Sequence, residues 1–156
     1  MPGSGKSHWI ETHKNQFFGC TVVSRDEIRF SILKGNEDYF SHEREVFREF
    51  INQINLALAL HETVIVDATH ITIGSRRKLL NAIDSDLKKN CTIEIVVIKS
   101  DLETIEKQNA LRTGRERVPD SAIRRMYHQM TYPTLEEGFD KIYIYDGTQY
   151  TIKVKE

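Results

Sequence analysis

The sequence of 156 residues lacks the features that mark several classes of protein. It has no apolar run of about 18 residues, which a membrane-spanning helix would need. It also has no basic and then apolar segment at its start, as a secretory signal would. Its formal net charge is -1, so no general excess of positive charge attracts a polyanion. We therefore expect a cytoplasmic protein with no membrane contact, in which any nucleic-acid site is a local patch.

Cysteine is scarce as well, with only Cys20 and Cys91 in the chain. Each stands alone beside a predicted strand, and no cysteine and histidine set has the spacing of a zinc site. We expect buried thiols in a reducing compartment and no structural metal, with a disulfide as the alternative. No repeat or Pro/Gly-rich linker interrupts the chain, so residues 1–156 are predicted to form a single domain.

Short apolar segments alternate with amphipathic ones along the chain. Strands are predicted at residues 19–24, 63–66, 91–98 and 141–145, with an edge strand at 150–154. Helices are predicted at residues 7–14, 25–33, 41–60, 75–87, 102–111 and 119–130. Ser41 would cap the longest helix, and His61 and Glu62 would end it. This alternation predicts an α/β fold in three layers, with helices on both faces of a parallel sheet.

A glycine-rich loop opens the chain, with the order Gly3, Ser4, Gly5, Lys6, Ser7. Small residues let backbone N–H groups turn inward around phosphate oxygens, and the following helix directs its positive end at the same charge. Lys6 would then reach the β- and γ-phosphates of ATP, and the Ser7 hydroxyl would hold Mg²⁺. The alternative is a glycine turn that carries these residues by chance.

The beginning of this phosphate loop departs from the full G-x-x-x-x-G-K-[ST] pattern. The first glycine of the pattern would fall one position before Met1, and the strand that should feed the loop is also missing. That strand lies in the middle of P-loop sheets, so its neighbours would have unpaired edges. We expect that the start of the chain is set too late, with a natural loss as the alternative. A complete chain of this kind would be weakly stable, share strands in a dimer or bind nucleotide poorly.

Asp26 follows the strand that is predicted to end at Ser24. A carboxylate at the carboxyl end of a strand lies where α/β enzymes bind ligands, and it can accept the proton of an attacking hydroxyl. Arg29 lies one helical turn later and could hold an anionic group of the acceptor. The alternative is that Asp26 only caps the following helix.

Asp67 follows the apolar strand before it, in the position where P-loop proteins place a carboxylate that supports Mg²⁺ or its water shell. Asp67 itself, with Thr69 and His70 that follow, could contact the acceptor. The alternative for His70 is a structural hydrogen-bonding role. Arg76 lies in a basic cluster shortly afterwards and could contact nucleic-acid phosphates. An exposed helix start is the alternative for that cluster.

Arginines cluster again around Gly114, in the segment that we predict to be a lid at residues 112–119. Arg112 and Arg115 could close over ATP and neutralise charge on the phosphoryl group in transfer. Pro119 would start the next helix. The alternative is a solvated run of charge.

Together these motifs resemble the kinase domain of polynucleotide 5′-kinases, both the phage enzyme and the animal kinase-phosphatase. The resemblance covers nearly the whole chain and rests on the P-loop with Trp9, on residues 24–29, on Asp67 to Thr69 with the arginines that follow, on residues 109–119 and on residues 132–139. It implies a P-loop kinase fold, ATP and Mg²⁺ as cofactors, Asp26 as general base, Arg29 as an acceptor contact and Arg112 as the transition-state arginine.

The resemblance extends to relatives with other acceptors. Ser24 replaces the more usual asparagine, and related kinases, including zeta-toxin-like ones, phosphorylate small molecules or sugar nucleotides with the same motifs. The sequence therefore predicts an ATP-dependent phosphotransferase whose first candidate acceptor is the 5′-hydroxyl of DNA or RNA. A small-molecule or nucleotide kinase, and a truncated and inactive ATP-binding module, are the alternatives.

Overall fold

The computed structural model describes residues 1–60 and 63–155. Its helices are α1 (Lys6–His13), α2 (Arg25–Ile32), α3 (Glu43–Ala59), α4 (Ile73–Ala82), α5 (Ser85–Lys89), α6 (Leu102–Ala110) and α7 (Asp120–Gln129). Its strands are β1 (Cys20–Ser24), β2 (Thr63–Asp67), β3 (Glu94–Ile98), β4 (Lys141–Tyr145) and β5 (Tyr150–Val154). Strands and helices alternate, which confirms the predicted α/β class.

The described strands form two sheets rather than one. In the first, β1 and β2 are parallel, with Ser24 opposite Asp67 at their carboxyl ends. In the second, β3 and β4 are parallel, and β5 pairs with β4 in the antiparallel direction. The predicted edge strand is therefore confirmed. Residues 1–5 form turns, so no strand precedes the phosphate loop in the part of the chain that the structure describes.

Two compact units divide the described residues. The first unit contains residues 1–6, 69–80 and 90–155, and the second contains residues 7–60, 63–68 and 81–89. In the first unit, buried clusters form around Ile105 with Ile123 and around Phe139 with Ile142. In the second, α3 buries an apolar stripe and packs on β1 and β2; the stripe is Val46, Phe50, Ile51, Ile54 and Ala57. The predicted single domain stays a prediction.

Two predicted helices differ from the observed ones by more than one residue at an end. Ser41 does not cap α3: the helix starts at Glu43 after His42, and the Ser41 amide instead donates to the Asp38 carbonyl in the preceding turn. The predicted end of that helix at His61 and Glu62 lies outside the described residues.

The predicted helix at residues 75–87 is two helices, α4 and α5. They separate at Asp84, whose Oδ1 accepts hydrogen bonds from the amides of Asp86 and Leu87 at 2.9 and 3.2 Å. The Asp84 amide itself donates to Asn55 Oδ1 on α3 at 3.0 Å. These side-chain bonds at the start of α5 compete with a continuous helix, as aspartate commonly does.

Burial is lower than predicted at two places. Strand β2, whose apolar sequence predicts a buried strand, is half-buried after the exposed Thr63. Cys20 and Cys91, for which buried thiols are predicted, are half-buried residues. No helix among residues 1–60 and 63–155 is long and apolar enough to cross a membrane.

Candidate functional site

The loop at the start of the chain has a backbone that only glycine adopts readily. Gly3 and Gly5 have φ angles of 74° and 94°, in the left-handed region. A Cβ atom on Gly3 would lie 2.7 Å from the carbonyl oxygen of Ile105, so the loop also packs too closely on α6 for any side chain there. Left-handed residues within a turn can direct neighbouring N–H groups toward one concave side, which is the backbone geometry of an anion nest.

A serine fixes the first turn of this loop. The buried Ser4 donates from Oγ to the Met1 carbonyl oxygen at 2.8 Å, and its amide donates to the same oxygen at 3.2 Å. Helix α1 then begins directly at Lys6, with Ser7 exposed as its second residue. The first N–H groups of an α-helix have no partner within the helix and carry partial positive charge, so this end favours an anion.

Asp26 lies in the second unit, just past the carboxyl end of β1. Helix α2 is capped by Ser24, whose Oγ accepts a hydrogen bond from the Glu27 amide at 3.4 Å. The alternative that Asp26 only caps this helix is therefore wrong. The side chain of Asp26 is 60% exposed, as a general base that must meet a substrate needs to be.

Arg29 is buried and paired within the protein, whereas the sequence predicts that it contacts the acceptor. Its side chain is only 5% exposed. Its Nη1 donates to Asp26 Oδ1 and, at 2.6 Å, to the hydroxyl of Tyr39. Its Nη2 donates to both carboxylate oxygens of Glu43, at 2.9 and 3.1 Å. The structure therefore gives Arg29 a role within the protein, holding Asp26, where the sequence predicts a contact with the acceptor.

Asp67 ends β2 directly opposite Ser24 in the parallel register. Because the carboxyl ends of paired parallel strands share one sheet edge, Asp67 and Asp26 lie at the same edge of this sheet. A carboxylate and the hydroxyl of Ser7 supply the oxygen ligands that Mg²⁺ prefers, so these residues fit the predicted ion. Within residues 1–60 and 63–155, no group of three His, Cys, Asp or Glu could hold a metal alone. Mg²⁺ commonly completes its shell with water and nucleotide phosphates instead.

Arg76 in the first unit is also buried, with 3% of its side chain exposed. Its Nε and Nη2 donate to the two carboxylate oxygens of Glu137 at 2.8 Å each. Its Nη1 donates to the carbonyl oxygens of Thr131 and His70 at 2.9 and 3.3 Å. The bidentate arginine lowers the pKa of Glu137 below its usual range. A phosphate would have to displace Glu137, so the structure assigns Arg76 to the fold and not to the acceptor.

Thr69 and His70 are both half-buried in the segment after β2. The two ring nitrogens of His70 are shielded from solvent. The Arg76 bond to the His70 carbonyl oxygen fixes the backbone of this segment. A role for either side chain at the acceptor stays a prediction.

A buried asparagine holds together the two ends of the arginine segment. Asn109 is fully buried; its Nδ2 donates to the Val118 carbonyl oxygen at 2.7 Å, and its Oδ1 accepts from the Val118 amide at 3.1 Å. Between these residues the chain turns at Gly114, whose φ is 58°. Arg115 is exposed and Arg112 is half-buried. A loop that is pinned at its base and carries arginines at its tip is suited to contact an anionic ligand.

The sequence does not reveal the partners of Arg29 and Arg76. Tyr39 and Glu43 belong to no motif, and Glu137 lies in the segment 132–139 without an assigned role. Each is brought to its arginine by the tertiary fold. One signal was available: acidic residues in a predicted helix start, such as Glu43, are candidates for pairing with a nearby arginine.

Two comparisons with known proteins give matches. A family model described as AAA domain matches residues 1–133. A chain in the structure of the Pnkp1/Rnl/Hen1 RNA repair complex matches with a TM-score of 0.68 and 23% sequence identity, covering 82% of this chain and 40% of that one. This chain therefore spans less than half the length of that chain. A comparison with curated proteins gives no match. The structural likeness confirms the predicted P-loop α/β fold.

Proposed function

This chain belongs to the AAA domain family, and we propose that it is a P-loop phosphotransferase that moves the γ-phosphate of ATP to a hydroxyl group. The observation that carries the proposal is the loop with left-handed Gly3 and Gly5, followed at once by Lys6 and Ser7 at the start of α1. That combination of a backbone nest, a helix N-terminus, a lysine and a hydroxyl suits a nucleotide phosphate chain with its metal ion.

The phosphate loop, the start of α1 and the arginine segment supply most of the proposed contacts with ATP. The loop from Gly3 to Gly5 would bind phosphate oxygens through amides other than that of Ser4, which is bonded to the Met1 carbonyl oxygen. Lys6 would contact the β- and γ-phosphates. Arg112, with Arg115, would neutralise the charge on the phosphoryl group from the loop that Asn109 pins. When bound, Mg²⁺ would neutralise phosphate charge, with the Ser7 hydroxyl as a ligand and Asp67 acting directly or through water.

Asp26 supplies the proposed acceptor chemistry. Asp26 would accept the proton of the hydroxyl as its oxygen forms a bond to the γ-phosphorus, while the bond from phosphorus to the ADP oxygen breaks. The exposure of Asp26 and the capping of α2 by Ser24 support this assignment, because the carboxylate is not needed to start the helix.

The first candidate acceptor is the 5′-hydroxyl of a nucleic acid, with RNA favoured. Support comes from the structural likeness to a chain of an RNA repair complex and from the motifs shared with polynucleotide kinases. The test is incubation of the purified protein with γ-labelled ATP, Mg²⁺ and a panel of 5′-hydroxyl RNA, 5′-hydroxyl DNA, nucleosides and sugars. Label on the 5′ end of RNA is expected. ATP binding without transfer to any member of the panel would contradict the proposal.

A second candidate acceptor, a small molecule, is favoured by the burial of Arg29 and Arg76. The sequence predicts that both bind acceptor phosphates, yet both are paired within the protein. Salt separates the two candidates, because each phosphate contact with a nucleic acid releases counterions. A KM for the acceptor that rises steeply with salt would support a nucleic acid; the range to test is roughly 50 to 200 mM, over which several phosphate contacts should weaken. A KM that does not change with salt would support the small molecule.

A further inference from the structure

We propose that Tyr39 is a positioning residue for Asp26, and that it leaves Asp26 Oδ2 as the oxygen that receives the acceptor proton. The proposal rests on the proposed function and deepens it at the acceptor side. Tyr39 belongs to none of the motifs in the sequence, and it lies in the irregular segment between α2 and α3.

The hydroxyl of Tyr39 lies between Arg29 and Asp26. It accepts a hydrogen bond from Arg29 Nη1 at 2.6 Å and donates one to Asp26 Oδ1 at 2.7 Å. The ring is fixed as well, since the Arg29 guanidinium carbon lies 4.1 Å from the ring centroid and the Phe40 ring packs edge-on at 4.8 Å. The hydroxyl therefore has a defined place from which it can hold the carboxylate.

Both hydrogen bonds to Asp26 fall on the same oxygen, Oδ1, because Arg29 Nη1 and the Tyr39 hydroxyl both donate to it. Oδ2 accepts no hydrogen bond from residues 1–60 and 63–155, and the side chain is 60% exposed. A carboxylate that acts as a base needs one oxygen that can approach the proton while the group keeps its orientation. Two donors on Oδ1 provide that orientation, and Oδ2 is left for the substrate.

Glu43 keeps Arg29 from turning away from this arrangement. Its carboxylate accepts from Arg29 Nη2 through both oxygens and also pairs with Arg25. The guanidinium is planar and rigid, so a hold on Nη2 fixes the direction in which Nη1 points. Burial, and then the hydrogen bond to Asp26, raise the pKa of Tyr39 above its usual range. Its hydroxyl consequently keeps its proton and remains a donor.

The variant Tyr39→Phe removes the hydroxyl and keeps the ring on Arg29. We expect kcat to fall about tenfold, the scale of one lost hydrogen bond to a charged group, while KM for ATP stays within about twofold. A role that is merely structural would instead lower the fraction of folded protein and leave kcat per folded molecule unchanged. Tyr150→Phe, on the edge strand β5, is the matched control and should change neither constant.

A spectroscopic measurement follows the same contact without turnover. The carboxyl carbon resonance of Asp26, assigned with Asp26→Asn, should shift in Tyr39→Phe and stay in place in Tyr150→Phe. A wild-type kcat together with an unmoved resonance in Tyr39→Phe would overturn the positioning role and leave the proposed function standing. A wild-type protein that transfers no label to any acceptor would instead overturn the proposed function, and the positioning role with it.

Discussion

At the scale of single residues, the most enclosed charges in the described chain are those of Arg76 and Glu137. Their side chains are 3% and 2% exposed, and two hydrogen bonds of 2.8 Å join them. Removing one partner of a buried pair leaves the other charged and desolvated, which costs more than the pair contributes.

The first prediction is that Arg76→Ala lowers the free energy of unfolding by about 3–5 kcal/mol. Arg77→Ala is the matched control, because Arg77 is the neighbouring residue and is exposed; its effect should stay within about 0.5 kcal/mol. Urea unfolding of the two variants and the wild type measures both values. A loss of less than about 1 kcal/mol in Arg76→Ala would show that this pair is not structurally important.

The same pair makes stability depend on pH. Arg76 lowers the pKa of Glu137 in the folded protein, so the unfolded chain binds this proton more tightly. The contribution of Glu137 is therefore fully present above its unfolded pKa, about 4.3, and is lost as the pH falls through the lower folded value. We expect the unfolding free energy of the wild type to fall more steeply below that pH than that of Glu137→Gln. Parallel curves in acid would contradict this origin of the dependence.

The residue scale is also where prediction from sequence is weakest. The sequence identifies Arg29 and Arg76 as cations near the expected site, but not their partners. Glu43 is 14 residues from Arg29, and Glu137 is 61 residues from Arg76. Whether an arginine faces a substrate or a carboxylate of its own chain depends on tertiary contacts that no local pattern encodes.

At the scale of elements, the phosphate loop is specified by its backbone. A left-handed φ at Gly3 excludes most other residues, and the carbonyl of Ile105 excludes any Cβ. The spacing of the motif alone does not state this requirement, because a loop that contacts no other element would also match the motif.

The prediction at this scale is that Gly3→Ala destabilises the protein by at least about 1–2 kcal/mol, the cost of a left-handed alanine, and weakens ATP binding. Gly74→Ala is the matched control: a Cβ there meets nothing within 4 Å, and its φ is not left-handed. Because Gly74 lies in α4, the control should be neutral or slightly stabilising. Thermal unfolding and calorimetry with ATP and Mg²⁺ measure both effects. Equal behaviour of the two alanine variants would argue against a demanding loop backbone.

The hairpin between β4 and β5 allows a further prediction. Asp146 Oδ1 accepts from the amides of Thr148 and Gln149 at 2.9 and 3.0 Å. Hydrogen bonds from these amides stabilise the ionised carboxylate and lower the pKa of Asp146 to about 2. A titration of its carboxyl carbon resonance should therefore have its midpoint near that value. A midpoint near 3.8, the ordinary value for aspartate, would mean that the turn is not formed in solution.

Element types follow from local patterns more readily than element ends do. Alternating strands and amphipathic helices were predictable because their periodicity is local, as in the apolar stripe of α3. The break between α4 and α5 depends on the hydrogen bonds that Asp84 accepts. The start of α3 at Glu43 has no side-chain cap that a local pattern could identify. A side chain that can cap a helix can also lie inside one, and the local sequence does not distinguish the two cases.

At the scale of the whole molecule, the predicted α/β P-loop fold is confirmed, while the strands lie in two sheets. The motifs were predictable because each is short and local: a glycine-rich turn before a helix, and an aspartate after a strand. The acceptor could not be predicted in the same way, because the resemblance extends to kinases that share those motifs and act on other acceptors.

The role of Asp26 as general base is tested most directly by single-turnover transfer from γ-labelled ATP to a 5′-hydroxyl RNA oligonucleotide. The proteins compared are the wild type, Asp26→Asn and Asp86→Asn. The last is the control, an aspartate of α5 whose side chain is 86% exposed. We expect Asp26→Asn to lower the transfer rate by at least about 100-fold, the usual contribution of a general base. Its ATP affinity should stay within about twofold, and Asp86→Asn should be unchanged. Transfer by Asp26→Asn at the wild-type rate would contradict this role of Asp26.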